Sequence, residues 1–238
     1  GVDTSRRVVQ VQNYPEVPYD YLVLATGARH SYFGHEEWEP HAPGLKQISD
    51  ATQIRKRVLL AFERAEMELD PAAQEALLTF VVVGGGPTGV EIAGALAELA
   101  TRALRRDFRR IDPTRAKILL IEAGPRVLAA FPEVLSRKAA TALAQLGAEV
   151  RTGTRVTSVS AEGVQAGAEW IPARTVLWAA GVANSPAGKW ISAPMDPTGR
   201  VKVRPDLSVP TEPNVFVAGD VAWVEDPRSP GQPLPGVA

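Results

Sequence analysis

The sequence predicts an α/β fold, and three observations carry that prediction. The first is an apolar, β-branched run, Leu77-Leu78-Thr79-Phe80-Val81-Val82-Val83, which ends in Gly84-x-Gly86-x-x-Gly89 and passes into a helical pattern. The second is that further buried runs, Lys117-Ile118-Leu119-Leu120-Ile121 and Thr175-Val176-Leu177-Trp178, are set apart by helical periodicity. The third is a change of period over residues 154–171 to short alternating stretches with turns at Gly163 and Gly167, the pattern of a β-meander.

The glycine turn sits in the strand–turn–helix context that a Rossmann-like dinucleotide fingerprint requires. Gly84 permits the tight turn, Gly86 lets backbone approach a pyrophosphate, and Gly89 lets the helix pack closely on the strand. Gly85 and Thr88 complete the turn, and Pro87 suits the first helical position, where its missing N–H is no loss. The helix start offers free N–H groups to phosphate oxygens. Small residues then continue along one face as Gly89, Ala93, Ala97 and Ala100. The run 117–121 ends in Glu122, where such a unit places an acid to hold the adenosine ribose hydroxyls. Its distance from Gly89 exceeds the usual spacing of about 20 residues, because the intervening helix is long. Arg126, after Gly124-Pro125, is expected to point to solvent, which makes NADH the expected cofactor in preference to NADPH.

Composition narrows the class. The 238 residues are 45% hydrophobic and 22% charged, ordinary for a globular chain with ample core. A net charge of −1 gives no bias toward nucleic acid or an anionic membrane. The absence of cysteine excludes a disulfide framework, a thiolate metal site and a redox dithiol within these residues. No apolar run reaches membrane-spanning length and no signal peptide is recognisable. The chain opens on Gly1 rather than Met and is expected to be a piece of a longer one.

Along the rest of the chain, Arg7-Val8-Val9-Gln10-Val11 reads as a short strand and Tyr14-Pro15-Glu16-Val17-Pro18 as a turn. Residues 19–28 form a buried strand closing on Ala25-Thr26-Gly27. His30, His35 and His41 lie in a loop with Glu36, Glu37 and Glu39; their spacing fits no helical ligand pair, so no metal is expected. Asp50 is expected to cap a helix reaching Glu68, and Asp70-Pro71 opens a short one. The fingerprint helix is expected to run on past Leu104, with Arg102, Arg105, Arg106, Arg109 and Arg110 as a solvated basic face at its far end. A further helix stops at Gly147 and leads to a strand at Ala148-Glu149-Val150-Arg151. The run 175–178 closes on Ala179-Ala180-Gly181, and after a proline-rich passage Asn214-Val215-Phe216-Val217 ends in Ala218-Gly219-Asp220.

Taken in order, Ala25-Thr26-Gly27, Gly84-Gly85-Gly86-Pro87-Thr88-Gly89-Val90-Glu91, Ala180-Gly181 and Val217-Ala218-Gly219-Asp220 resemble the flavoproteins with two dinucleotide-binding domains. Within these, Leu24-Ala25-Thr26-Gly27-Ala28-Arg29-His30-Ser31-Tyr32-Phe33-Gly34-His35 and Ala61-Phe62-Glu63-Arg64-Ala65-Glu66 resemble type II NADH dehydrogenase, an NADH:quinone oxidoreductase. The resemblance implies an NADH-binding Rossmann-like domain over 50–181, with its linking helix, inserted into an FAD-binding domain of which 1–49 and 182–238 are parts. It implies FAD and NADH as cofactors and a membrane quinone as electron acceptor. It also implies a place on the cytoplasmic face of the membrane, reached through segments outside this chain, and leaves a homodimer open. Gly84, Gly86 and Gly89 would cradle the NADH pyrophosphate, and Glu122 would hold the ribose. Glu91, one turn into the helix, would sit beside the nicotinamide carboxamide as the candidate catalytic residue, with Gly181 on the nicotinamide side. Thr26 and Gly27 would line the flavin pocket, and Gly219-Asp220 would meet the flavin ribityl or phosphate region. The first glycine fingerprint of such flavoproteins is not among these residues, so weak or no FAD retention is the expectation. Two other readings stay open: a soluble ferredoxin or nitrite reductase component, and a non-catalytic NADH-binding module.

Overall fold

A computed structural model describes residues 1–234. By contact, the chain divides into residues 1–29 with those from Val182 onward, and a second unit, His30–Gly181.

The second unit is built on a four-stranded parallel sheet in the order Thr175–Trp178, Thr79–Val83, Lys117–Ile121, Ala148–Arg151. All five residues of Thr79–Val83 are buried, as expected for a central strand covered on both faces. Side-chain alternation splits the core in two. Phe80, Val82, Ile118, Leu120 and Leu177 face three helices, Ile48–Met67, Pro87–Glu98 and Glu133–Leu146. Val81, Val83, Leu119, Ile121, Val176 and Trp178 face the meander and a loop carrying Tyr32, Trp38 and Ala42. The meander is antiparallel, Val156–Val159, Gly163–Ala166 and Glu169–Pro172, with its buried Val164 and Ile171 turned to the sheet.

Three details differ from the sequence reading. Residues 30–49, grouped there with the first segment, fall by contact in the second unit. The cause is the aromatic anchor: Tyr32 and Trp38 are buried against Trp178, and the Tyr32 hydroxyl donates to the Ala42 carbonyl at 2.9 Å. The long helix begins at Ile48 with Gln47 as its cap, and Asp50 works from the third helical position, accepting the Lys46 and Gln47 N–H groups at 2.9 Å each. The fingerprint helix stops at Glu98 and widens into a π turn, Leu99–Ala103. Arg105, Arg106, Arg109 and Arg110 therefore follow the helix instead of forming its face. The Glu66 carboxylate accepts the Arg109, Arg110 and Ile111 N–H groups at 3.0 Å each and fixes this irregular segment.

In the first unit, Leu22–Leu24 lies parallel to Glu212–Val217, with Leu24 opposite Val217, and Ser208–Val209 pairs antiparallel on the other side. Leu24, Val209, Val215, Val217 and Val221 pack with Ala187, Ile191 and Val201 as its core. Three two-residue strands, Val2–Asp3, Val8–Val9 and Val17–Pro18, form a small antiparallel sheet.

Candidate nucleotide site

The glycines of the turn have separate causes. Gly84 has φ +110°, and a Cβ there would lie 2.5 Å from the Ala179 carbonyl carbon, so both backbone and packing demand glycine. A Cβ on Gly89 would lie 1.8 Å from the Gly84 carbonyl oxygen, so the helix rests directly on the turn. Gly86 is different. Its φ of −71° suits any residue, and a Cβ there would meet nothing within 4 Å. Neither backbone nor protein neighbours account for the missing side chain, and the turn is open to the cavity at this point. Gly86 caps the helix without a side chain, Pro87 opens it, and the first i→i−4 bond runs from Val90 to Gly86 at 3.0 Å. The Thr88 and Gly89 N–H groups thus precede the ladder and lack helical partners. That is the arrangement that receives phosphate oxygens.

Glu122 stands at the end of Lys117–Ile121. Its carboxylate accepts the Gly85 N–H through Oε2 and the Gly124 N–H through Oε1, each at 2.6 Å. An ionised carboxylate offers about four acceptor positions, so about two remain for a diol. A Cβ on Gly85 would lie 3.0 Å from the Glu122 side chain, a tight contact. Arg126, in contrast with the solvent position expected, folds back on its own loop. Its guanidinium donates to the carbonyls of Leu128, Ala129 and Phe131 at 3.3, 2.7 and 2.9 Å.

A cavity of about 650 Å³ lies over the carboxyl ends of the strands. Gly84, Gly85, Gly86 and Glu122 line it, with Thr154–Thr157 and Trp178-Ala179-Ala180 at its flanks. This is where open parallel sheets bind ligands. Phe33, His35 and Trp38 form a further wall, which the sequence did not point to. His35 stacks on Trp38 with ring centres 4.2 Å apart, and Trp178 fixes the loop by donating its indole N–H to the Ser31 carbonyl at 2.7 Å. Behind this wall, burial pushes the Tyr32 phenol up to about 12, helped by the Glu39 and Glu36 charges. It stays a neutral donor to Ala42 throughout the ordinary pH range.

Other sequence candidates fall outside the lining. Pro87, Thr88 and Glu91 are exposed on the first turns of the helix, and Gly89 is buried beneath them. Gly181 packs under the Phe33 ring, where a Cβ would lie 2.7 Å from Cζ. The three histidines do not converge: His30 lies 3.8 Å from Asp50, and His35 bonds Glu37 at 3.0 Å. Among the described residues no group of three potential metal ligands comes together.

In the first unit, Thr26-Gly27 and Gly219-Asp220 leave the carboxyl ends of two adjacent parallel strands. Gly27 and Gly219 have φ +60° and +77°, and a Cβ at either would meet open space. Thr26 and Ser185 share a hydroxyl–hydroxyl bond, and the Gly27 carbonyl accepts the Ser185 N–H at 3.2 Å. This leaves uncrowded backbone at the strand ends, which a flat group can approach.

Known proteins resemble this chain in sequence and in fold. The chain is 44% identical over 232 residues to the type II NADH:quinone oxidoreductase Ndh of Mycobacterium tuberculosis, covering 94% of this chain and 49% of that protein. It is 46% identical over 231 residues to NdhA of the same organism, also a type II NADH:quinone oxidoreductase, covering 93% and 48%. The chain therefore spans about half the length of these relatives. Its fold is similar to that of NDH2 from Plasmodium falciparum solved in complex with NADH, with a TM-score of 0.84 at 24% identity over 94% of this chain and 49% of that one. A family model described as pyridine nucleotide-disulphide oxidoreductase matches residues 1–235, and the chain belongs to that family.

Proposed function

We propose that this chain is the nucleotide-binding part of an NADH:quinone oxidoreductase. The observation that carries the reading is Gly86, whose missing side chain leaves the turn open to the cavity beside Glu122. The M. tuberculosis relatives are named for the same reaction. Gly84, Gly86 and Gly89 bring backbone to the pyrophosphate, and Glu122 accepts the ribose hydroxyls of NADH. Gly181 lies on the nicotinamide side. Glu91 is exposed on the second turn of the helix and is assigned to the nicotinamide carboxamide.

FAD fits the first unit at the open strand ends, where Thr26, Gly27, Gly219 and Asp220 would hold it. The chemistry that FAD supplies when bound is acceptance of a hydride and delivery of two electrons to an acceptor. This chain's residues contribute position. They hold the dinucleotide extended across the strand ends and require no side-chain acid or base for the hydride step. A quinone is the proposed acceptor. Among the described residues no helix is long and apolar enough to cross a membrane; the cytoplasmic face of a membrane is the proposed location of the full-length protein.

The test is steady-state oxidation of NADH by the full-length protein, loaded with FAD, with a water-soluble quinone or a ferredoxin as acceptor. Rapid quinone-dependent turnover is expected. Turnover with ferredoxin alone would transfer the chain to the soluble reductases, and NADH binding without turnover would make it a binding module.

A further inference from the structure

The nucleotide reading leaves one residue of the cavity unexplained. Phe33 is aromatic, 68% exposed, and held at φ +55°. A bulky residue in the left-handed region is a true outlier and carries a conformational cost. Gly34, with φ +93°, follows it directly. The local structure enforces the geometry at several points. Ser31 donates its N–H to the Gly181 carbonyl at 3.2 Å, and its hydroxyl oxygen accepts the Phe33 N–H at 3.3 Å. The Trp178 indole holds the Ser31 carbonyl, and the Phe33 ring stands edge-on to Trp178 at 6.4 Å. Gly181 makes room for the ring, whose Cζ would otherwise meet a Cβ. The ring touches the core only at its edge and leaves most of its surface exposed on the cavity wall.

Its position gives it a use. Glu122 closes the strand on one side of Thr79–Val83, and Trp178 closes the strand on the other. A dinucleotide with its adenosine ribose on Glu122 and its pyrophosphate over Gly86 carries its second half toward Trp178, Ala180 and Phe33. We propose that Phe33 is a positioning residue that packs against the nicotinamide ring and fixes the redox-active end of the cofactor. The proposal rests on the nucleotide reading and adds to it the residue that distinguishes the nicotinamide from the rest of the molecule. Stacked aromatic pairs contribute enough to give roughly a fivefold to tenfold preference.

The test compares dissociation constants for NADH and for ADP-ribose, which carries the same adenosine and pyrophosphate but no nicotinamide. Wild type is expected to bind NADH about five to ten times more tightly than ADP-ribose. Phe33→Ala should remove that preference and leave ADP-ribose affinity unchanged, whereas Phe33→Trp should keep it. Phe33→Gly should also remove it while raising the thermal midpoint, because glycine relieves the left-handed backbone. A preference that survives in Phe33→Ala overturns the proposal, as does an equal loss for both ligands in a folded variant. Wild type that binds neither ligand removes the nucleotide reading itself.

Discussion

At the scale of single residues, the proposed choice of NADH over NADPH rests on Glu122. The carboxylate ties Gly85 to Gly124 and keeps about two acceptor positions free, which the proposed reading gives to the ribose diol. NADPH would set a phosphate of nearly two negative charges against it, and Arg126, spent on three carbonyls of its own loop, is not available to neutralise that charge. NADH should therefore bind at least about tenfold more tightly than NADPH, since a hydrogen bond to a charged group contributes about 1.5–3 kcal/mol. Glu122→Gln keeps one acceptor for the turn and removes the charge, and it should narrow the ratio from both ends. Dissociation constants for both nucleotides at one salt concentration check this. Equal wild-type affinities would take Glu122 out of the site. The acid at the strand end was legible in the sequence because strand order fixes it. Its second role was not, because Gly85 and Glu122 meet only once the parallel pair has formed.

At the scale of elements, the Ile48–Met67 helix depends on Asp50 in its first turn. The Gln47 and Lys46 N–H groups hold that carboxyl below its ordinary value, against a smaller opposing effect of burial. A depressed folded-state pKa contributes stability above the unfolded value of about 3.9, and the contribution is lost as pH falls below it. Asp50→Ala should cost about 1 kcal/mol at neutral pH, and urea melts of the two proteins should converge well below pH 4. A difference that stays the same at both pH values would contradict the assignment. The fingerprint helix offers a second case. Gly89→Ala places a methyl group into the Gly84 carbonyl, and such overpacking costs about 1–3 kcal/mol. A thermal melt within 1 °C of wild type would contradict the close helix–turn contact. Periodicity located both helices, but the end of the second was misread. Leu99 and Leu104 continue the apolar pattern, while the backbone has already widened into a π turn.

At the scale of the whole molecule, the cavity is assembled from stretches far apart in sequence. Local pattern found the fingerprint and Glu122, which lie at the ends of regular elements. It could not find Phe33, His35 and Trp38, whose place depends on a bond between Ser31 and Trp178, 147 residues apart in sequence. Nor could it find the Thr154–Thr157 wall, set by the Thr154 N–H donating to the Glu122 carbonyl at 3.0 Å. The same contacts put residues 30–49 in the second unit. A ligand seated there should slow amide hydrogen exchange over 84–90, 122–128 and 154–157. Saturation at about 100 times the dissociation constant stabilises the native state by about 2.7 kcal/mol. Protection confined to the first unit would place the nucleotide elsewhere.

The most direct test of the nucleotide site uses Gly86→Val. Its backbone lies at φ −71° and ψ −179°, open to valine, and the new side chain meets no protein atom at its Cβ. Folding should therefore be unchanged, with a thermal midpoint within a few degrees of wild type, whereas the side chain occupies the path of the pyrophosphate. Calorimetric titration with NADH should show binding to wild type and a loss of at least about a hundredfold, or 2.7 kcal/mol, in the variant. A folded Gly86→Val protein that binds NADH as tightly as wild type would contradict the site.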